Sequence, residues 1–323
     1  MRNVRLLVAY DGSRFFGWQR QDGFDSVQQA LEEALEVLTG EHAVVHGSGR
    51  TDTGVHALGQ VASVHVRTRL DDERLRHALN HHLPEGVVVR RLETCRDDFH
   101  ARFDARGKRY GYLVATSRFR PPFGRTLTHW VHDPLDLAAM RAAASVLRGR
   151  HDFSAFASSG SPRRSNVRTL SSLRILARRE RFALVAQADG FLYNMMRALA
   201  GTLLDVGRGK LAPAEVAAIL ASRDRRRAGP TAPPEGLYLI SVRYDEPVVA
   251  GRDRGPRGAP GLFPASQPVE ELPTAASRAW PGRRQARRAV LNGQEGRLRG
   301  LAVAFLALTN LASPRYGTSS TGC

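Results

Sequence analysis

Asp52 lies in the segment Gly49-Arg50-Thr51-Asp52-Thr53-Gly54, a carboxylate bracketed by glycines with a cation two residues before it. Glycine lets a ligand come close to the backbone, so the segment has the makings of an ionised carboxylate held against a ligand. An aspartate in such a turn also has a common plain use, accepting hydrogen bonds from nearby backbone N–H groups. Other chemistries are excluded by their missing members. Gly54 to Gln60 has the glycine spacing of a phosphate-binding loop, but Gln60 stands where a lysine must reach the phosphates. There is no G-x-S-x-G nucleophile turn and no H-E-x-x-H zinc helix. His77, His81 and His82 lack a carboxylate or thiol at useful spacing and read as histidines on a partly exposed basic helix.

Several further side chains have two readings. Tyr110 and Tyr112 share one face of a strand, where a tyrosine is most often half-buried packing. Arg197 adjoins a helical face made of Leu192, Met196, Leu199 and Leu203. A charge there must reach solvent or find a carboxylate, and Asp52 is the expected partner. Phe15, Phe16 and Trp18 suit a core and an RNA-stacking surface equally. His56 has no evident chemical task and is expected to support the loop.

The elements that must position these residues alternate irregularly. Val4 to Tyr10 is β-rich and ends at a turn, Asp11-Gly12-Ser13. Ser26 and Gln29 open a helix through Leu38 that Gly40 closes. A strand over 60–66, a helix over 72–82 stopped by Pro84, and strands over 87–92 and 107–116 follow. A second round has a helix over 136–147, strands over 170–176 and 182–188, a helix over 191–206, a short helix after Pro213 and a strand over 237–244. Hairpins among these elements point to an α+β fold with largely antiparallel or mixed sheets flanked by helices, not a doubly wound parallel one. Two halves of similar content, 1–105 and 106–247, precede a Pro-, Gly- and Arg-rich tail over 248–323.

The chain has 323 residues and a net charge of +17. A nucleic acid is the leading partner for that excess. Residues 251–323 hold eleven arginines against four carboxylates, +7 of the total, so the part that folds is basic in its own right. Lysine occurs only at Lys108 and Lys210, which leaves arginine as the general-purpose cation. Two cysteines, Cys95 and Cys323, are too few for a thiolate zinc site or a disulfide framework, which fits a reducing cytoplasm. The longest apolar run, Leu301 to Leu308, is too short to span a bilayer.

Gly49 to Ala57 closely resembles the catalytic motif of the bacterial tRNA pseudouridine synthase A family. The resemblance extends, in the family's order, to Tyr10–Gln21, Ala78-Leu79-Asn80 with Leu83-Pro84, Asp98–Phe103, Lys108-Arg109-Tyr110 with Tyr112, Asn194–Arg197 and Glu235–Leu239. It covers roughly residues 4 to 245, with Met196 standing where a β-branched residue is usual. It implies a pseudouridine synthase fold around a central basic RNA-binding cleft. It also implies Asp52 as nucleophile, Arg50 as the arginine that helps hold an everted base, Tyr110 as the tyrosine against the uracil, and Arg197 as the basic residue near the aspartate. A homodimer with no cofactor and no metal, acting on uridines 38, 39 and 40 of the tRNA anticodon arm, follows from the same resemblance.

The competing readings are a non-catalytic RNA-binding or RNA-folding module and a structural basic protein. A module that only binds has no need of a carboxylate in a basic cleft, and an ordered α+β core argues against a structural basic protein. The tail cannot bury enough apolar surface to order itself and is expected to be mostly disordered, with 301–311 able to form one docking helix. A protein ending at Val249 is therefore expected to fold, dimerise and keep its maximal rate, with a modestly higher tRNA requirement that is largest at low salt. Size-exclusion chromatography and a tRNA titration check this, and loss of the dimer or collapse of the rate would contradict it.

Overall fold

The computed structural model describes residues 1–158, 160 and 165–245. The tail from 248 to 323 and the segment 301–311 lie outside the described residues. The helices begin and end where side chains and glycines cap them. In α1 (Val27–Thr39) the Ser26 hydroxyl accepts from Gln29 N–H, and Gly40 ends the helix in the left-handed conformation. Asp71 caps α2 (Asp72–His82) through Arg74 N–H, and Asp136 caps α3 (Leu137–Val146) through the N–H groups of Ala138 and Ala139. Helices α4 (Met195–Gly207) and α5 (Glu215–Ser222) complete the set.

Among the described residues ten strands join one sheet: β1 (Arg2–Tyr10), β2 (His46–Gly47), β3 (His56–Val66), β4 (Val87–Thr94), β5 (Gly107–Ala115), β6 (His129–Trp130), β7 (Gly149–Asp152), β8 (Val167–Arg178), β9 (Arg181–Ala188) and β10 (Leu237–Arg243). The spatial order is β4-β1-β3-β10-β5-β9-β8-β7, with β2 on β3 and β6 on β5. Pairing is antiparallel except between β10 and β3 and between β5 and β6. The fold is therefore α+β with a mixed sheet, as expected, but its strands form a single continuous sheet. Strand β3 begins four residues earlier than the 60–66 expectation, and β2, β6 and β7 are too short for alternation to reveal.

Alternation along β5 sorts its side chains onto two faces. Tyr110, Tyr112 and Val114 join the main core, which also takes Leu31 and Leu35 of α1, Leu75 and Leu79 of α2, Met140 of α3 and Leu199 and Leu203 of α4. Leu113 turns the other way, into a small cluster with Leu58, Ala183, Val185 and Tyr238. Among the described residues, no helix is long and apolar enough to cross a membrane.

The middle of the sheet is where distant parts of the chain meet. Leu239 of β10 pairs with Ala57 of β3 on one side and with Tyr110 of β5 on the other. This row sets Tyr110 two strand spacings, about 10 Å, from the end of the loop that carries Asp52. The expected helix over 191–206 begins at Met195, because Asn194 takes a left-handed conformation at φ 58° and breaks the run before it.

Candidate active site

Asp52 opens a β-turn that Val55 N–H closes on the Asp52 carbonyl at 3.1 Å. The third turn residue, Gly54, has φ +78°, a conformation that favours glycine. The loop is fastened from the N-terminal side, since Thr51 C=O accepts from Trp18 N–H at 3.0 Å and Thr51 Oγ1 shares a hydrogen bond of 2.8 Å with Tyr10 Oη. Asp52 itself remains half-buried, with its carboxylate turned toward α4.

Arg197 meets it there, with Nη1 3.2 Å from Asp52 Oδ2. The same Nη1 donates to Asn194 Oδ1 at 3.0 Å, and Nε donates to Ala232 C=O at 2.7 Å. The left-handed turn at Asn194 is what brings its amide oxygen back over Arg197, while Met195 and Met196 anchor the first turn of α4 in the core. The partner expected for Arg197 is thus the one it has.

Tyr110 is 8% exposed and packs edge-on against Phe191, with ring centroids 4.8 Å apart. Burial first, then Tyr10 and the Asp52 charge, raises its phenol well above the usual value, so it is protonated at neutral pH. Arg50 is exposed, and among the described residues it makes no ion pair. Asp52, Arg197 and Tyr110 therefore converge on the central seam, and Arg50 stands at its surface.

Sequence reasoning missed the segment 232–236, which ties these parts together. Ala232 N–H donates back to Arg197 C=O at 3.1 Å, Tyr112 Oη donates to Pro233 C=O at 2.8 Å, and Pro234 lies against Gly54 before the chain enters β10. Glu235-Gly236-Leu237 was visible as part of a motif, but the two backbone carbonyls leave no mark in a sequence.

The His56 ring holds the Asp11–Gly12 turn and the Thr126 backbone, not residues 49–54 themselves. Its Nε2 lies 2.9 Å from Thr126 C=O, its Nδ1 lies 3.1 Å from Gly12 N and 3.2 Å from Asp11 Oδ1, and its ring stacks on Tyr238. The aromatic trio divides: Phe15 and Trp18 are core residues, whereas Phe16 is 50% exposed and leans on Phe24. His77 sits on the exposed side of α2 and pairs with Glu73 one helical turn before it, so the expectation that no carboxylate stands at useful spacing was wrong for His77.

A half-buried carboxylate held by one arginine beside a buried tyrosine suits an enzyme that works through a carboxylate. The family model described as tRNA pseudouridine synthase matches residues 6–104 and 143–245. The chain is 45% identical over 244 residues to tRNA pseudouridine synthase A of Acetivibrio thermocellus, an alignment spanning 76% of this chain and 100% of that protein. It is 46% identical over 244 residues to the protein of that name from Thermoanaerobacter pseudethanolicus, again 76% of this chain and 100% of the other. For the Syntrophomonas wolfei protein the values are 44% over 246 residues, 76% and 99%. The chain belongs to the tRNA pseudouridine synthase family.

The contact between Asp11 and His56 has a pH signature. Burial pulls the Asp11 carboxyl upward, but the His56 ring and the Ser13 hydroxyl and N–H outweigh it and hold the group at about 2, below its ordinary 3.8. A depressed folded-state value stabilises the protein above the unfolded value, and that stability is lost as pH falls from about 4 toward 2. Asp11→Asn is expected to cost at most about 2 kcal/mol near neutrality, with the gap in melting temperature closing toward pH 2. Thermal melts at stepped pH check this, and a gap that stayed constant would contradict it.

Proposed function

We infer that this protein isomerises uridine to pseudouridine in tRNA, and we propose Asp52 as its nucleophile. The observation that carries this reading is the Asp52 carboxylate paired with Arg197 at 3.2 Å in the seam that Tyr110 borders. Isomerisation breaks the N1–C1′ bond, turns the base and rejoins it through C5. The proton that C5 loses balances the one that N1 gains, so no redox partner or energy source enters. A covalent bond from Asp52 to the sugar or to the ring divides this exchange into two easier steps. Arg197 keeps the carboxylate oriented, and its own fixing by Asn194 and Ala232 keeps that orientation rigid.

The target base must leave its stack to reach Asp52. Tyr110 offers the ring it rests on, and exposed Arg50 is placed to hold the emptied position in the arm. We propose the anticodon arm, with uridines 38, 39 and 40, as the substrate region, and a cytoplasmic homodimer as the working form. The catalytic set divides between the halves, with Arg50 and Asp52 from residues 1–105 and Tyr110 and Arg197 from residues 106–247. That division supports treating each half as a unit that contributes one wall.

Tyr110 also takes the C5 proton in this proposal. Because its phenol is protonated at rest, it accepts that proton only while passing its own to another base. The carboxylate of Asp52, whose charge acts on the phenol, is the acceptor we propose once its bond to the substrate has broken.

Asp52→Asn is expected to abolish turnover while leaving tRNA binding near wild-type or slightly tighter, since one negative charge facing phosphates is gone. Release of tritium from tRNA labelled at uridine C5 measures this, and more than a trace of activity in the purified variant would remove Asp52 from the role. Tyr110→Phe keeps the ring and loses the hydroxyl. A drop of about 100-fold or more in the rate is expected if the hydroxyl moves the proton, and near-normal turnover would reduce Tyr110 to a stacking surface.

A further inference from the structure

Strand β5 brings a second cation to the catalytic loop, behind the groups already described. Lys108 lies two residues before Tyr110 on the same face, and its Nζ donates to Ser48 C=O at 2.9 Å. Gly49 makes room for it, because a Cβ at that position would collide with the Lys108 Nζ. From β3, Gln60 Nε2 donates to Gly49 C=O at 2.8 Å, and Ser48 Oγ donates to Gln60 Oε1 at 2.6 Å. The stretch that leads into Arg50 is thus fixed around an ammonium.

Among the described residues no carboxylate pairs with Lys108, and the charge that acts on it is another cation, Arg102. Withdrawal from water and then Arg102 lower the Lys108 ammonium to about 8. Arg102 is exposed, lies 5.8 Å from the centroid of the 72%-exposed Phe103 ring, and likewise has no ion pair among the described residues. A half-buried ammonium that also feels a second cation is unfavourable until an anion joins it. The choice of lysine adds to this. In a chain where 46 of 48 basic residues are arginine, the place over Gly49 takes the compact point charge, not the planar fork.

We propose that Lys108 and Arg102 receive a backbone phosphate of the tRNA next to the nucleotide that enters the Asp52 site. This rests on the reading that the substrate is tRNA, and it adds a subsite outside Asp52, Arg50, Tyr110 and Arg197. A strand whose base reaches Asp52 carries its flanking phosphates past Gly49 in this proposal, where the backbone has no side chain and the Lys108 ammonium lies against it. The phosphate supplies the missing anion, and the Phe103 ring offers an apolar surface at the rim.

The test is the salt dependence of equilibrium tRNA binding by the full-length protein, measured for wild type, Lys108→Met and Arg102→Gln. Each variant is expected to bind several-fold more weakly at low salt, with the slope of log affinity against log salt shallower by about one. Unchanged slopes in both variants would overturn the subsite, and a change confined to Arg102→Gln would overturn the part of Lys108. Should Lys108→Met fail to fold by circular dichroism, the surface substitution Arg102→Gln decides alone. Wild-type tritium release separates the two levels. Its absence would overturn the assigned reaction, whereas its presence with unchanged slopes would overturn only the phosphate subsite.

Discussion

The ion pair between Asp52 and Arg197 spans 145 residues of sequence, and most of the central architecture is arranged to make it. Partly burying two charges costs more than their attraction returns unless the remaining donors are satisfied. Here Asn194 Oδ1 accepts from Nη1 and Ala232 C=O from Nε, so with Asp52 the guanidinium is held from three directions. The aspartate carboxylate meets Arg197 through Oδ2, which leaves Oδ1 without a protein hydrogen bond among the described residues. An interaction built this way contributes little net stability. What it fixes is the direction of one carboxylate relative to one tyrosine.

The supports of that pair belong to different layers of the molecule. The N-terminal signature reaches it through Tyr10, Trp18 and the Asp11–His56 contact, α4 through Met195 and Met196, and the sheet through the row Ala57, Leu239 and Tyr110. A displacement in any of these moves the carboxylate. Motifs scattered along the chain are in this sense one object, each holding a different side of the same loop.

Much of this was legible beforehand because the signals were local. Ser26 and Gly40 delimit α1, alternation places Tyr110 and Tyr112 on one face, and a charge at Arg197 beside an apolar face demands a carboxylate. The remainder is nonlocal. Nothing in the pattern of Leu237 to Arg243 says that β10 inserts between β3 and β5, since strand order depends on partners far away. The late start of α4 turns on a single left-handed residue, Asn194, inside an otherwise helical pattern. Phe15, Phe16 and Trp18 look alike in sequence, yet burial separates them, because it depends on what packs above each. The carbonyls of Ala232 and Pro233 were out of reach altogether, since backbone groups carry no side-chain signature.

The position of β10 also dictates the order of assembly. Strands β1, β3 and β4 can pair as soon as they leave the ribosome, and β5, β8 and β9 can do the same. The seam between these groups stays open until residues 237–243 arrive, because β10 supplies the only ladder joining β3 to β5 among the described residues. Contacts of such separation form slowly, after the loop entropy has been met. A nascent chain that already exposes Asp52 and Tyr110 therefore has no aligned site. During synthesis the two groups of strands stay unregistered against each other until β10 arrives.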